Sequence, residues 1–252
     1  MASPVRFYFD FISPYAYLAW AAVRPLARQA GRRLEPVPVL FAGLLNHHGQ
    51  VGRFSWPTIR AGPTRRLMRT CTSRLGARVW TSQLGPAEIP AKRQYIFRDV
   101  VRKADLAGLT ECMPLQPPRT HPFRPLLLLR IASSPALDED QRCACAVKSG
   151  SGPDAAHSEG CRAVRLVREM SRVRAISALF RAVWSDRAPF EQPADTLALL
   201  RPALTPALAE VVVAEAQSEA AKARLRDTTD AAIQRGVFGV YAGALHGARS
   251  RR

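Results

Sequence analysis

The first forty residues carry the pattern that most constrains the fold. Residues 5–11 alternate between apolar and mixed positions and are rich in aromatic side chains, which is typical of a β-strand. Residues 15–29 have helical spacing, and the segment "LEPVPVL" at 34–40 predicts a second strand. A strand, a connecting helix and another strand predict a parallel β-α-β unit, because parallel strands need a crossover connection.

The predicted helix places Leu18, Ala22 and Leu26 on one face. Gly31 follows it, at a position where a left-handed glycine commonly ends a helix. The prolines of the second strand favour an edge of the sheet or the end of a strand, since proline donates no ladder hydrogen bond.

The rest of the chain reads as mostly helical. One helical pattern places Tyr95, Val100, Val101 and Leu106 on a shared face. The segment "QRGVFGV" at 234–240 predicts the entry to a further strand. A loop or short helix is expected at residues 41–50, and a loop at residues 138–162. Helices are expected over 84–109, after Pro125, and over 173–185, 195–203 and 206–232.

Composition supports a folded protein. The chain has 252 residues, of which 47% are hydrophobic, so it can build a core and is not a disordered protein. It has no run of eighteen apolar residues and no basic-then-apolar N-terminus, which predicts neither a membrane span nor a signal peptide. A cytoplasmic protein is the expectation.

The net charge of +17 raises the question of nucleic-acid binding. Residues 53–83 hold seven Arg and no acid, and residues 241–252 hold three Arg and no acid, so these two stretches supply ten of the charges. Nucleic-acid surfaces usually mix Lys, Arg and hydroxyl or aromatic partners. The blocks lack that mixture, and nucleic-acid binding is therefore not the favoured interpretation.

The five cysteines do not form a recognisable metal motif. Cys143, Cys145 and Cys161 lie near His157, and Cys71 and Cys112 stand apart. Their spacing matches no standard zinc pattern, so the sequence predicts ordinary thiols and no metal.

The junction between the first strand and its helix reads Ser13-Pro14-Tyr15-Ala16. The first backbone N–H groups of a helix lack internal partners, and the helix dipole favours an anion there. Thioredoxin-like oxidoreductases place an acidified cysteine pair at such a junction. Here a hydroxyl stands instead, which excludes dithiol chemistry and leaves two readings: Ser13 caps the helix, or Ser13 also donates to the thiolate of another molecule.

Six motifs occur in an order that points to a known family. They are "FYFDFISPYAYLA", "PVLFAGLLNHHGQ", "GPAEIPAKRQYIFRDV", "HPFRPLLLLR", "LFRAVW" and "RGVFGV". The set resembles the 2-hydroxychromene-2-carboxylate isomerases, a DsbA-like family close to kappa-class glutathione transferases. The resemblance covers segments 4–52, 84–135 and 175–240.

The resemblance implies an α/β protein in which a helical insertion domain interrupts a thioredoxin-like domain. It also implies glutathione as cofactor, a homodimer, and isomerisation of 2-hydroxychromene-2-carboxylate to trans-o-hydroxybenzylidenepyruvate in the degradation of aromatic compounds. The family serine that holds the glutathione sulfur matches Ser13, so this residue is the expected catalytic group, with Pro14 beside it.

Further site residues follow from the same resemblance. Asn46 and Gln50 fall in the loop where the family contacts cofactor or substrate, and a solvent loop is the alternative. Lys92 could bind a carboxylate or be a solvated lysine. The peptide after Val240 is expected to grip glutathione. The expected substrate pocket comprises Phe11, Tyr15 and His47, where core packing or simple exposure is the competing interpretation.

The chain departs from the family in three places. Residues 53–83 are an Arg-rich insert, residues 139–172 resemble nothing in the family, and Tyr241-Ala242 replaces an expected Pro-Thr. The expected closing β-hairpin and last helix are absent from the sequence, which predicts impaired activity. The predicted domains are 1–52, 53–83, 84–232 and 233–252.

Two other functions compete with the isomerase. A kappa-type glutathione transferase shares the serine junction and differs in its acceptor substrate. A non-catalytic Arg-rich protein that binds RNA or acidic partners would show steep salt dependence.

Overall fold

The computed structural model describes residues 3–49, 89–139, 159–240 and 242–245. The strands are β1 (Val5–Phe9), β2 (Leu34–Pro38) and β3 (Ala242–Leu245). The helices are α1 (Pro14–Gln29), α2 (Phe41–His47), α3 (Pro90–Leu106), α4 (Leu126–Ala132), α5 (Ala136–Glu139), α6 (Glu159–Trp184), α7 (Pro193–Leu200), α8 (Pro206–Glu215) and α9 (Glu219–Gln234), with a 3-10 turn at Thr110–Cys112.

The three strands form one sheet in the order β2-β1-β3. β1 runs parallel to β2 and antiparallel to β3. Arg6 and Glu35 lie opposite each other on β1 and β2 and form an ion pair of 3.0 Å. The parallel β-α-β unit and the edge position of the proline-containing strand are thus confirmed within the described residues, and the third strand starts where the glycine-bounded segment predicted one.

β1 contributes side chains to the cores on both faces of the sheet, because successive side chains of a strand point to opposite sides. Phe7 and Phe9 pack on one face, and Tyr8 packs on the other. All three side chains are fully buried. The alternation in the sequence therefore reflects a sheet that is covered on both sides.

The larger core joins α1 and α6 to the sheet. Trp20 of α1 and Phe180 of α6 lie against Phe9, with ring centroids 6.1 and 5.6 Å from it. Trp184, at the end of α6, is buried in the same cluster. Phe180 and Trp184 are therefore core residues.

The smaller core lies on the opposite face, under α2 and α9. Thr229 of α9 is buried, and its hydroxyl accepts a hydrogen bond from the backbone N–H of Leu40 at 3.0 Å. The cluster consists of Tyr8, Val39, Leu44, Ala232, Val237 and Val240.

Local signals place both ends of α1 correctly. Ser13 is the N-cap, and Pro14 occupies the first helical position. Gly31 has a φ of +61°, and its N–H bonds the carbonyl of Arg28 while Arg32 bonds that of Ala27. This pair of bonds is the motif in which a left-handed glycine satisfies the last carbonyls of a helix.

Several helix predictions need correction. Leu26, Tyr95 and Leu106 are exposed rather than buried with their predicted partners. The pattern at 206–232 contains two helices, α8 and α9, because Ser218 caps a new helix by accepting from the N–H of Ala221.

Both ends of the loop predicted at 138–162 are helical, because α5 extends to residue 139 and α6 already begins at residue 159.

Several predictions fall outside the described residues. These include the Arg-rich insert at 53–83, residues 140–158 of the second atypical region, and the tail from 246 onward. The domain boundaries therefore stay predictions. None of the described helices combines the length and the apolar character that crossing a membrane requires.

Candidate functional site

The candidate site is the start of α1, where the loop that follows β1 enters the helix. Ser13 has extended backbone angles, φ −97° and ψ 118°, and its Oγ accepts a hydrogen bond from the N–H of Ala16 at 3.3 Å. Pro14 is buried at the first helical position, where its missing N–H costs nothing. The capping interpretation of Ser13 is confirmed.

Capping uses only the acceptor side of the Ser13 hydroxyl. A serine hydroxyl carries one proton and two lone pairs, so accepting from Ala16 leaves the proton to donate elsewhere. Among the described residues no acceptor takes that proton, and the Ser13 side chain is half-buried. The junction can therefore cap its helix and donate to an anion at the same time.

A buried carboxyl lies three residues before Ser13. Asp10 is 1% exposed, and its two oxygens accept from the N–H groups of Ile12 at 3.0 Å and Phe41 at 2.9 Å. Burial raises the pKa of Asp10 to about 7, although these backbone bonds act in the opposite direction. Asp10 thus fastens the site loop to the start of α2.

An imidazole holds the same loop from the other side. His121 Nε2 lies 3.1 Å from the carbonyl oxygen of Ile12. Burial lowers the pKa of His121, the hydrogen bond to Ile12 acts in the opposite direction, and the nearby guanidinium of Arg93 lowers the pKa as well. Arg93 also donates to the carbonyl of His121 at 3.2 Å.

Tyr15 is anchored from α3. Its hydroxyl donates to Oδ2 of Asp99 at 2.6 Å, and Lys103 forms an ion pair with the same oxygen at 2.9 Å. The Lys103 ammonium also lies 4.8 Å from the centre of the Tyr15 ring. The hydrogen bond from Tyr15, and then that from Lys103, lowers the pKa of Asp99, so this carboxylate is ionised and holds the phenol in place.

Phe11 is part of the core. Its side chain is fully buried, and its ring lies 4.6 Å from that of Phe180 and 5.4 Å from that of Phe9. Its carbonyl accepts from Nε1 of Trp184 at 2.8 Å. The core alternative therefore describes Phe11 better than the predicted pocket role does.

The other predicted residues make no hydrogen bond or ring contact with Ser13 among the described residues. Asn46 and His47 are exposed at the end of α2, and the His47 ring packs edge-on against His48 with centroids 5.0 Å apart. Lys92 is exposed on α3, whereas its neighbour Arg93 reaches the loop at His121. Val240 is buried in the smaller core, and Gln50 lies outside the described residues.

The cysteines do not contribute to this junction as far as they are described. Cys112 is buried, and burial raises the pKa of its thiol to about 11. Cys71, Cys143 and Cys145 lie outside the described residues, as does the side chain of Cys161. Across the described ranges no three His, Cys, Asp or Glu residues group closely enough to hold a metal ion.

A comparison with solved structures adds the fold. A structure of a 2-hydroxychromene-2-carboxylate isomerase (HCCA isomerase) matches 96% of this chain and 84% of its own, with a TM-score of 0.57 and 20% sequence identity. The two proteins share a fold. No family model and no curated protein matches the sequence.

At this identity the likeness concerns architecture and not chemistry. The α/β class is confirmed, and the arrangement of β2, β1 and β3 is consistent with a thioredoxin-like fold.

Four residues of the junction were not predicted from the sequence: Asp10, Arg93, Asp99 and His121. A carboxyl at the end of an apolar strand was a usable signal for Asp10, since such a side chain must find backbone donors if it is buried. The other three come from distant parts of the chain, and no local pattern brings them to residue 12 or residue 15.

Proposed function

We propose that this chain binds glutathione at the start of α1 and isomerises 2-hydroxychromene-2-carboxylate to trans-o-hydroxybenzylidenepyruvate. The observation that carries the proposal is the Ser13 hydroxyl, which caps α1 and retains a proton to donate at the positive end of the helix. The choice of reaction follows from the resemblance of the six sequence motifs, and the fold shared with an HCCA isomerase is consistent with it.

The junction fits a thiolate brought by another molecule. Ser13 and Ala16 occupy the two positions where a redox protein with a Cys-x-x-Cys pair would carry its own sulfur, and the stretch from residue 10 to residue 19 contains no cysteine. When bound, glutathione would supply a nucleophilic sulfur that can add to the substrate and leave again without net oxidation.

Ser13 would act by stabilising the charged form of that sulfur. A hydroxyl that donates to a thiolate lowers the thiol pKa, and each unit is worth about 1.4 kcal/mol. The amide dipoles of α1 act in the same direction.

Tyr15 is the best-anchored candidate for contact with the substrate. Its ring is half-buried, and Asp99 fixes its hydroxyl, so the ring offers a rigid apolar wall beside Ser13. The proposal keeps His47 as a substrate contact, and Asn46, Gln50, Lys92 and the backbone at Val240 as glutathione contacts.

A calorimetric titration with reduced glutathione tests the proposal. We expect saturable binding to the wild type and affinity lower by about tenfold or more in Ser13→Ala, because a hydrogen bond to a charged group is lost. Ser218→Ala is the matched control: Ser218 caps α9 in the same way, with its Oγ 3.1 Å from the N–H of Ala221. It should leave the affinity unchanged.

Absence of binding heat from a folded wild type would overturn the proposal. If glutathione binds, turnover of 2-hydroxychromene-2-carboxylate supports the isomerase, whereas thiol transfer to a general electrophile without isomerisation supports a kappa-type transferase. The proposal also includes a homodimer, which light scattering on the purified protein would test, and a cytoplasmic location.

A further inference from the structure

We infer that His121 is a positioning residue for Ser13 and acts through the carbonyl group of Ile12. The inference rests on the proposed function for its catalytic consequence, but its structural part can be tested without glutathione.

The contact fixes the protonation of the ring. His121 Nε2 lies 3.1 Å from the oxygen of Ile12, and a carbonyl oxygen can only accept. The ring must therefore carry a proton on Nε2. The Ile12 carbonyl belongs to the same planar peptide as the Ser13 N–H, so the bond sets the plane on which Ser13 begins.

The opposite side of the same residue is also held. The N–H of Ile12 donates to Asp10 Oδ1 at 3.0 Å. Ile12 lies outside β1 and α1, and it has no strand or helix partners to orient it. The side chains of Asp10 and His121 thus orient the backbone of Ile12, as hydrogen bonds to a neighbouring strand would do within a sheet.

Aromatic neighbours hold the imidazole in one orientation. Its centroid lies 5.4 Å from Phe97, 5.6 Å from Trp184 and 6.1 Å from Phe123. These rings come from three separate segments of the chain, so the imidazole cannot turn without displacing core side chains.

The second ring nitrogen shows why the imidazole stays neutral. Nδ1 of His121 is buried and has no hydrogen-bond partner among the described residues. A proton there would be an unpaired buried donor beside the Arg93 guanidinium, which is costly. His121 is therefore a fixed donor of one tautomer and not a group that takes up the proton of the substrate or thiol.

Two substitutions separate donation from shape. His121→Phe keeps a ring among the aromatic neighbours but removes the donor, and His121→Gln offers an amide N–H at a reach similar to Nε2. The readout is the pKa of bound glutathione, followed by thiolate absorbance across a pH series. We expect a rise of about one unit, a tenfold loss of thiolate preference, in His121→Phe and partial retention in His121→Gln.

A second measurement uses the wild type alone. Nitrogen chemical shifts of the His121 ring should show the neutral Nε2–H form, and its protonation should begin at a lower pH than in an ordinary histidine. In His121→Phe the Ser13 amide should exchange faster, because its peptide has lost the bond to Ile12.

The outcomes are distinct. A wild type that does not bind glutathione overturns the proposed function, while the ring shifts still decide the positioning. A ring that carries its proton on Nδ1 or titrates at an ordinary histidine pKa overturns the inference. So does a folded His121→Phe variant whose bound thiol pKa and Ser13 exchange equal those of the wild type.

Discussion

At the scale of single residues, the Ser13 hydroxyl has two roles: its oxygen accepts the hydrogen bond that caps α1, and its proton can be donated to an anion. Ser13→Asp separates the two, because aspartate caps helices as well as serine does but offers an anion no proton and adds repulsion. We expect this variant to unfold at a temperature close to that of the wild type and to bind no glutathione.

Ser13→Ala supplies the comparison. It loses both the cap and the donor, so we expect a loss of about 1 kcal/mol of stability together with weaker binding. Glutathione binding by Ser13→Asp at wild-type affinity, measured by calorimetry, would show that the hydroxyl serves only as a cap.

Asp10 gives the folded protein an unusual pH dependence. Its pKa is about 7 in the fold against 3.8 for an ordinary aspartate. Its contribution to stability is therefore complete below about pH 4 and is lost as the pH rises toward 7, by up to about 1.4 kcal/mol per pH unit.

Asp10→Asn tests this sign, because the amide does not titrate. The free energy of unfolding of the wild type minus that of the variant, both measured in urea, should fall between pH 4 and pH 7. The difference is needed because the lowered pKa of His121 acts oppositely and costs stability as the pH falls below its unfolded value. A difference that stays flat would mean that Asp10 is ionised throughout.

Residue-level prediction succeeded where the signal was local and failed where it depended on helical phase. Ser13 and Pro14 indicate a helix start, because serine is a favoured N-cap and proline favours the first helical position. Lys92 and Arg93 are adjacent cations, and only the packing of α3 decides that Arg93 reaches the carbonyl of His121. His121 itself stands far from Ile12 in the sequence.

At the scale of elements, α6 holds the site loop through one indole. Trp184 Nε1 donates to the Phe11 carbonyl at 2.8 Å, and both groups are buried. Trp184→Phe should leave this carbonyl unpaired, which costs about 1–3 kcal/mol beyond the loss of ring area.

Trp20→Phe is the control for that change. Trp20 is also fully buried, but its Nε1 donates to the half-buried hydroxyl of Ser177 at 3.0 Å, which can turn to another partner. We expect Trp184→Phe to lose more stability than Trp20→Phe in urea unfolding, and to be the one that weakens glutathione binding. Equal losses with unchanged binding would contradict a role for α6 in holding the loop.

Element prediction was accurate for the β-α-β unit and weaker for the buried faces of its helices. α1 buries Trp20 and Ala21 and leaves Leu26 60% exposed, although spacing grouped Leu26 with Leu18. The spacing of apolar residues offers several overlapping faces, and only the neighbouring elements choose among them. In α3 the small residue Ala104 faces the core while Leu106 points outward.

At the scale of the whole molecule, the sheet separates a large core from a small one within the described residues. The larger one unites α1, α4, α6 and α8 around the aromatic side chains of β1, whereas the smaller rests on a few residues under α2 and α9. Because opening free energy follows buried apolar contact, the smaller core should open before the whole protein unfolds.

Native-state hydrogen exchange tests this division. The amides of Leu44 and Val237 should share an opening free energy below that of amides beside Leu129, which lies in the larger core. Leu44→Ala and Leu129→Ala are matched, since both side chains are fully buried and each truncation costs about 2–5 kcal/mol.

Leu44→Ala should lower protection in both clusters, because the contacts it removes are absent from the locally opened state and from the unfolded state alike. Leu129→Ala should lower protection only of amides that exchange through global unfolding and leave the opening free energy of the smaller core unchanged, because the larger core is still formed in the locally opened state. The contrast bears on function, since α2 carries Asn46 and His47, and the N–H of Phe41 at its start donates to Asp10. Equal opening free energies in both clusters would show one cooperative unit, and the loop at Ser13 would then depend on the stability of the entire protein rather than on its smaller core.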